Sequence, residues 1–292
     1  MVNQIRLSKY VISEDNYPFI IAEIGNNHNG DMKIAKKLID EAQKCGANSV
    51  KFQTKDIETA FSQEMLNKNY ETRNSFGKTY REHKQFLELS INQLSELKKY
   101  SEDRDLIFFS TPFDLKSLNR LEKLNMEIYK ISSFHVTDLV LVEAIAKKKK
   151  PVIMSTGMST IKEIDKAVKI LKKYKCKYII MHCVSSYPTN PKDLNLGAIK
   201  VLRQRYKCLV GYSGHETNAN IAPSVVLYNA CAIERHFTLD RAMKGPDHAL
   251  SLEPSGLNLL VQRSKLIFDA KGIEKKFVNE CELETRKKFR GY

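Results

Sequence analysis

Eight short apolar runs, spaced by longer amphipathic segments, constrain this chain more than any other feature. They fall at 19–24, 49–52, 106–110, 128–131, 151–154, 178–183, 208–212 and 230–235. Each is often β-branched and ends in polar residues or glycine, as buried parallel strands do. The segments between them carry a helical period. Residues 32–45 place Ile34, Ala35, Leu38, Ile39, Ala42 and Cys45 on one face, and Gly46 ends the helix. Ser159-Thr160 opens another helix, whose buried face holds Ile161, Ile164, Ala167, Val168 and Leu171. Eight strand–helix units predict an α/β fold, a (β/α)8 TIM barrel, and 292 residues suit its usual size. An open doubly wound sheet is the competing fold, but no G-x-G-x-x-G follows the first strand.

This pattern divides the chain into an N-terminal strand or hairpin extension (1–17), a barrel (18–275) and a trailing segment (276–292). Residues 54–91 form a connection long enough to be functional or to carry structure of its own.

Composition excludes several classes. The formal charge of +14 comes from lysines spread over the helices, with no arginine-rich block interleaved with aromatics, which argues against nucleic-acid binding. No stretch of about 18 apolar residues is present to span a membrane. The N-terminus lacks a basic segment followed by an apolar one, so the expected location is the cytoplasm. The six cysteines form no C-x-x-C pair and read as reduced core residues.

In a barrel of this kind the chemistry lies at the C-terminal strand ends. Here those ends offer Glu23, Asn26, Asn27 and His28; Lys51 and Gln53; Ser110 and Thr111; Lys130, Ser132 and Ser133; Ser155, Thr156 and Gly157; His182, Ser185 and Tyr187; Ser213 and His215; Glu234 and His236, with Asp247 and His248 beyond. A single polar strand end is usually a cap or turn former. Polar residues at all eight ends are costly to bury for structure alone. Two lysines beside several hydroxyls suit a phosphate. His215 and His236 end neighbouring strands about 4.8 Å apart. With Glu23, Glu234 and Asp247 nearby they suggest a site for Mn2+, Mg2+ or Zn2+.

The strings that carry these residues resemble the sialic acid synthase family. They are AEIGNNHNG (22–30), KFQ (51–53), STPFD (110–114), YKISS (129–133), STGM (155–158), HCVSSYPT (182–189), GYSGHE (211–216), ERHFTLD (234–240) and KGPDHALSLEP (244–254), in family order over nearly the whole chain. GKTYREHK (77–84) and GYSGHE look closest to the N-acetylneuraminate and N-acetylneuraminate 9-phosphate synthases.

The resemblance implies condensation of phosphoenolpyruvate with N-acetylmannosamine or a related amino-sugar aldehyde. Lys51, Thr111, Lys130, Ser133, Ser155, Ser185 and Ser213 would hold phosphoenolpyruvate, although Ser185 stands where the family often has asparagine. His215 and His236 would bind the divalent metal, Mn2+ or Mg2+. Glu23, Gln53, Glu234 and Asp247 would be the catalytic group. Asn74, Tyr187 and Asp247 would meet the sugar. Legionaminic or pseudaminic acid precursors are alternative acceptors, and a partner-dependent non-catalytic barrel subunit is an alternative role. The resemblance leaves a homodimer open. It also implies a small C-terminal domain similar to antifreeze proteins, absent from this sequence, so that 276–292 reads as the start of a linker to it.

Overall fold

The computed structural model describes residues 4–292. Its first two strands, β1 (Ile5–Leu7) and β2 (Tyr10–Ile12), pair antiparallel. Eight parallel strands follow: β3 (Phe19–Gly25), β4 (Ser49–Thr54), β5 (Ile107–Pro112), β6 (Tyr129–Ile131), β7 (Val152–Ser155), β8 (Tyr178–Cys183), β9 (Leu209–Gly214) and β10 (Ala230–His236). Their hydrogen-bonded order is β5-β4-β3-β10-β9-β8-β7-β6, and β6 packs beside β5 to bring the ring nearly to closure. This is the (β/α)8 barrel expected from the eight runs. Several strands extend one or two residues past the apolar run, to Thr54, Pro112, Gly214 and His236. Of these, His236 lines the cleft at the barrel mouth, while Thr54 bonds Ser110 instead.

Helices close the outer ring. Met32–Lys44 is capped by Asp31, whose carboxylate accepts from the Lys33 and Ile34 amides. It buries Ala35, Leu38, Ile39 and Ala42, and Gly46 leaves it at φ +82°, a conformation that favours glycine. Ile161–Lys173 begins in a capping box between Thr160 and Glu163. The expected helix after the seventh barrel strand is instead a 3-10 segment, Ala222–Tyr228. Pro223 removes a backbone donor at its start, and Val225 and Val226 add β-branched crowding.

The hairpin 5–12 is part of the main core, since Ile5, Leu7 and Ile12 are buried with the barrel's residues. The connection 54–91 does carry structure, in the short helices Ile57–Ala60 and Gln63–Leu66 and the longer Tyr80–Leu87. Residues 276–292 include a helix, Leu283–Arg290, that buries no side chain. No helix among the described residues is long and apolar enough to cross a membrane.

All seven histidines have pKa values held below the usual imidazole range, first of all by burial. His28 is pushed down to about 3. In the folded protein it stays neutral at pH values where the unfolded chain has bound a proton. The stability it protects is therefore complete above pH 6.5 and is lost as pH falls toward 3. His28 alone accounts for roughly 3 kcal/mol between pH 7.5 and 4.5. Urea unfolding is expected to show a marked fall in midpoint over that interval, and a flat midpoint would contradict buried neutral imidazoles.

Candidate active site

Strand alternation builds the site. Side chains two apart share a face, so Lys51 and Gln53 on β4, and Glu234 and His236 on β10, enter the barrel mouth together. Lys51 Nζ lies 2.9 Å from Glu23 Oε2 on β3 and 3.5 Å from Glu234 Oε1, and donates to Thr111 Oγ1 on β5 at 3.1 Å. Lys130 Nζ on β6 donates to Ser155 Oγ on β7 at 2.7 Å and lies 3.6 Å from Glu234 Oε1. Ser213 on β9 donates to Glu234 Oε1 at 3.3 Å. Two ammoniums and two carboxylates, each at most 5% exposed, thus share the centre of the mouth.

Their environments differ. Burial would push the Lys51 ammonium down, but Glu23 and Glu234 outweigh it and raise its pKa. Lys130 is lowered by burial, with Glu234 opposing. Burial would raise Glu234, yet Lys130 and Lys51 hold it below the usual carboxylate range.

Ser133 follows β6, and its Oγ accepts from the Gly157 amide at 2.9 Å. A Cβ on Gly157 would come within 2.2 Å of Ser185 Oγ and 3.0 Å of Ser133 Oγ, so only glycine lets both hydroxyls close over this corner. Ser185 Oγ is buried with no hydrogen-bond partner.

His215 and His236 face each other with ring centroids 5.5 Å apart. Val184 carbonyl oxygen lies 2.8 Å from His215 Nδ1, which places the proton on that nitrogen and leaves Nε2 with a free lone pair. His236 Nδ1 is buried without a partner. Burial lowers both pKa values, which favours the neutral, metal-binding form. The Tyr187 ring lies 4.1 Å from that of His215. Among the described residues no group of three or more His, Cys, Asp or Glu side chains has metal-binding geometry. Two imidazoles could hold a metal only if its remaining ligands came from water or substrate, which would leave it the open positions that a catalytic ion needs.

Most residues expected at the site converge. Glu23, Lys51, Gln53, Thr111, Lys130, Ser133, Ser155, Tyr187, Ser213, His215, Glu234 and His236 line one deep cleft. Asp247 lines an adjoining outer cleft of about 480 Å³ and accepts from Asn26 at 3.3 Å. Gln53, Phe113, Phe134, Tyr187 and His236 line both.

Asn74 does not join them. It sits in a turn closed by Thr72 and Ser75 and lines neither cleft. Several polar strand ends also prove structural. The His28 ring accepts from the Gly30 amide, His182 bonds Leu194 carbonyl oxygen, His248 bonds Thr238 Oγ1, and Asn27 donates to Phe237 carbonyl oxygen and Ser251. Sequence reasoning missed Phe113, Phe134, Cys183, Lys55 and Lys84 as lining residues. Phe113, Cys183 and Lys84 lay within STPFD, HCVSSYPT and GKTYREHK, strings already singled out.

Residues 38–276 match the NeuB family. The human N-acetylneuraminate-9-phosphate synthase is 37% identical over 92% of this chain and 76% of its own length. The N,N'-diacetyllegionaminic acid synthase of Campylobacter jejuni is 39% identical over 87% of this chain and 77% of its own. The crystal structure of N-acetylneuraminic acid synthetase from Leptospira borgpetersenii, a complex with citrate, superposes with a TM-score of 0.87 at 36% identity, covering 99% of this chain and 98% of that one.

Proposed function

The chain belongs to the NeuB family, and we propose that it joins phosphoenolpyruvate to the open-chain aldehyde of an amino sugar, giving a sialic acid or a close congener and inorganic phosphate. One observation carries this reading: Lys51 and Lys130 are buried with hydroxyl partners beside two imidazoles whose lone pairs are free. Their ammoniums, with Thr111, Ser133, Ser155, Ser185 and Ser213, hold the phosphate and carboxylate of phosphoenolpyruvate.

Charge bookkeeping supports a divalent cation. The two lysines are already matched by Glu23 and Glu234. Phosphoenolpyruvate adds about three negative charges, counting a phosphate of up to −2 and a carboxylate. His215 and His236 would hold Mn2+ or Mg2+, which when bound supplies Lewis acidity toward the aldehyde oxygen.

The chain's own residues do the rest. Tyr187, Gln53 and Asp247 orient the acceptor so that its carbonyl carbon meets C3 of phosphoenolpyruvate. The enol π pair forms the new C–C bond while the aldehyde C=O pair passes to its oxygen, which takes up a proton to become a hydroxyl, and C2 is left as a cation. Water adds to C2, and Glu23 takes its proton. Once the substrate phosphate engages Lys51, the Glu23 carboxylate is freed from that ion pair to meet the water. The tetrahedral adduct then breaks its C–O bond to phosphate, its C2 hydroxyl giving its proton to the departing phosphate, and leaves the 2-keto acid.

The test is incubation of the purified chain with phosphoenolpyruvate, Mn2+ and a panel of acceptors: N-acetylmannosamine, its 6-phosphate, and the legionaminic and pseudaminic acid precursors. Phosphate release and product masses are read together. Absence of acceptor-dependent phosphate release across the whole panel overturns the proposal. Lys130→Ala is expected to raise the phosphoenolpyruvate KM at least about tenfold, since a hydrogen bond to a charged group contributes about 1.5–3 kcal/mol. Unchanged KM and kcat would remove Lys130 from the phosphate site.

A further inference from the structure

The outer cleft holds two more lysines, and they are paired differently from the first two. Lys55 is 4% exposed. Its Nζ donates to Gln53 Oε1 at 2.8 Å and lies 4.2 Å from the centre of the Phe113 ring. Lys84, on the helix Tyr80–Leu87, holds its Nζ 4.9 Å from the Tyr80 ring centre and 5.9 Å from that of Phe61. Lys51 and Lys130 have carboxylates in ion-pair range; among the described residues, neither Lys55 nor Lys84 does. Glu88 is the acid that acts most on Lys55, but its Oε1 accepts from the Lys55 backbone amide at 2.9 Å. Asp247 acts on both ammoniums from the far wall.

Lys55 is buried and Lys84 half-buried on the same cleft, and holding two ammoniums there with no carboxylate in ion-pair range of either is unfavourable. The strain is visible: burial pushes Lys55 down to about 8 and lowers Lys84, and the charge on Lys84 lowers Lys55 further. A dianion placed between them would remove that cost. The neighbouring wall is apolar, formed by Ala60, Phe61 and Met65, so the anion would belong to a ligand.

Carbon counting says which ligand. Adding the three carbons of phosphoenolpyruvate to the aldehyde end of a six-carbon sugar turns its C6 into C9 of the product. The aldehyde end belongs beside His236, which lines both clefts. Gln53 separates Lys55 from Glu23, its Nε2 donating to Glu23 Oε1 at 2.8 Å, so the lysines lie on the side of the acceptor away from the reacting carbons. We propose that Lys55 and Lys84 form a subsite for a phosphate ester at the terminal carbon of the acceptor, which makes this chain selective for a hexosamine 6-phosphate over the free sugar. The inference rests on the synthase reading above.

The experiment has a binding arm and a turnover arm. Calorimetry compares N-acetylmannosamine 6-phosphate with N-acetylmannosamine on the wild-type chain, on Lys84→Gln and Lys55→Gln, and on Lys84→Arg. The phosphorylated sugar is expected to bind the wild type at least about tenfold more tightly. Each glutamine variant should shrink that preference about tenfold, while Lys84→Arg keeps most of it. In turnover, the same ratios should appear in kcat/KM for the acceptor. Equal affinity for the two sugars in the wild type, or glutamine variants that leave the preference intact, overturns the subsite. If the binding preference is present and no acceptor is turned over, the subsite stands and the synthase reading fails.

Discussion

Replacing His236 with alanine is expected to reduce kcat by a factor on the order of 10³, with little change in folding stability. His236 ends β10 and faces His215 across 5.5 Å, and its Nδ1 is buried without a protein partner. Its removal therefore breaks no hydrogen bond within the fold. If the pair holds the proposed metal, its loss from the aldehyde would remove several kcal/mol of transition-state stabilisation, about 1.36 kcal/mol being tenfold in rate. His215→Ala should match it in rate but lose its bond to the Val184 carbonyl oxygen as well, so its stability should fall slightly further. Calorimetric titration with Mn2+ gives a readout that does not depend on turnover. Weaker binding in both variants is expected, and undiminished affinity in both would sink the assignment of a metal to this pair.

The second large effect is on stability. Glu216→Ala is expected to destabilise the chain by about 3–5 kcal/mol, the cost of stranding a buried charge. Arg235 is 1% exposed and Glu216 fully buried, with Nη1 to Oε1 at 2.8 Å. Arg235 also donates to the carbonyl oxygens of Asn218 and Glu216, and Tyr212 OH donates to the other Glu216 carboxylate oxygen at 2.8 Å. The pair joins the residue after His215 to the residue before His236. Removing the acid alone leaves a guanidinium in the interior. Replacing both residues together, as Glu216→Leu with Arg235→Met, should recover much of the loss, because an apolar pair of similar volume avoids the desolvation cost. Urea unfolding of the single and double variants tests this. A single variant costing under about 1 kcal/mol would show that the pair contributes little.

How far the sequence reveals this site depends on backbone periodicity. Along a strand the period of two is rigid, so Lys51 with Gln53, and Glu234 with His236, could be placed together from spacing alone, and the structure does place them together. The same period hides Arg235, which lies between two mouth-facing residues and therefore turns the other way, into a buried ion pair that no apolar pattern announces. Polarity at a strand end does not separate function from capping: His182 and His248 satisfy local backbone or hydroxyl groups instead. The connection 54–91 was legible only as a long insertion. Its course depends on tertiary contacts, such as the bridge between Asn69 and Thr79 and the Thr72–Ser75 turn, which carry Asn74 away from the clefts and bring Lys84 to the outer one.

The amide of Gln53 can face only one way. A carboxylate can only accept and an ammonium can only donate, so Nε2 must point to Glu23 and Oε1 to Lys55. One small dipole is thus held between Glu23, proposed to take the water proton, and Lys55, proposed to meet the acceptor's far end. Any ligand that draws Lys55 toward itself loosens the grip on that dipole and, through it, the bond to Glu23. On the proposed reaction the two substrates would be linked in the thermodynamic sense: whatever factor a bound acceptor applied to the affinity for phosphoenolpyruvate, phosphoenolpyruvate would apply equally to the affinity for the acceptor.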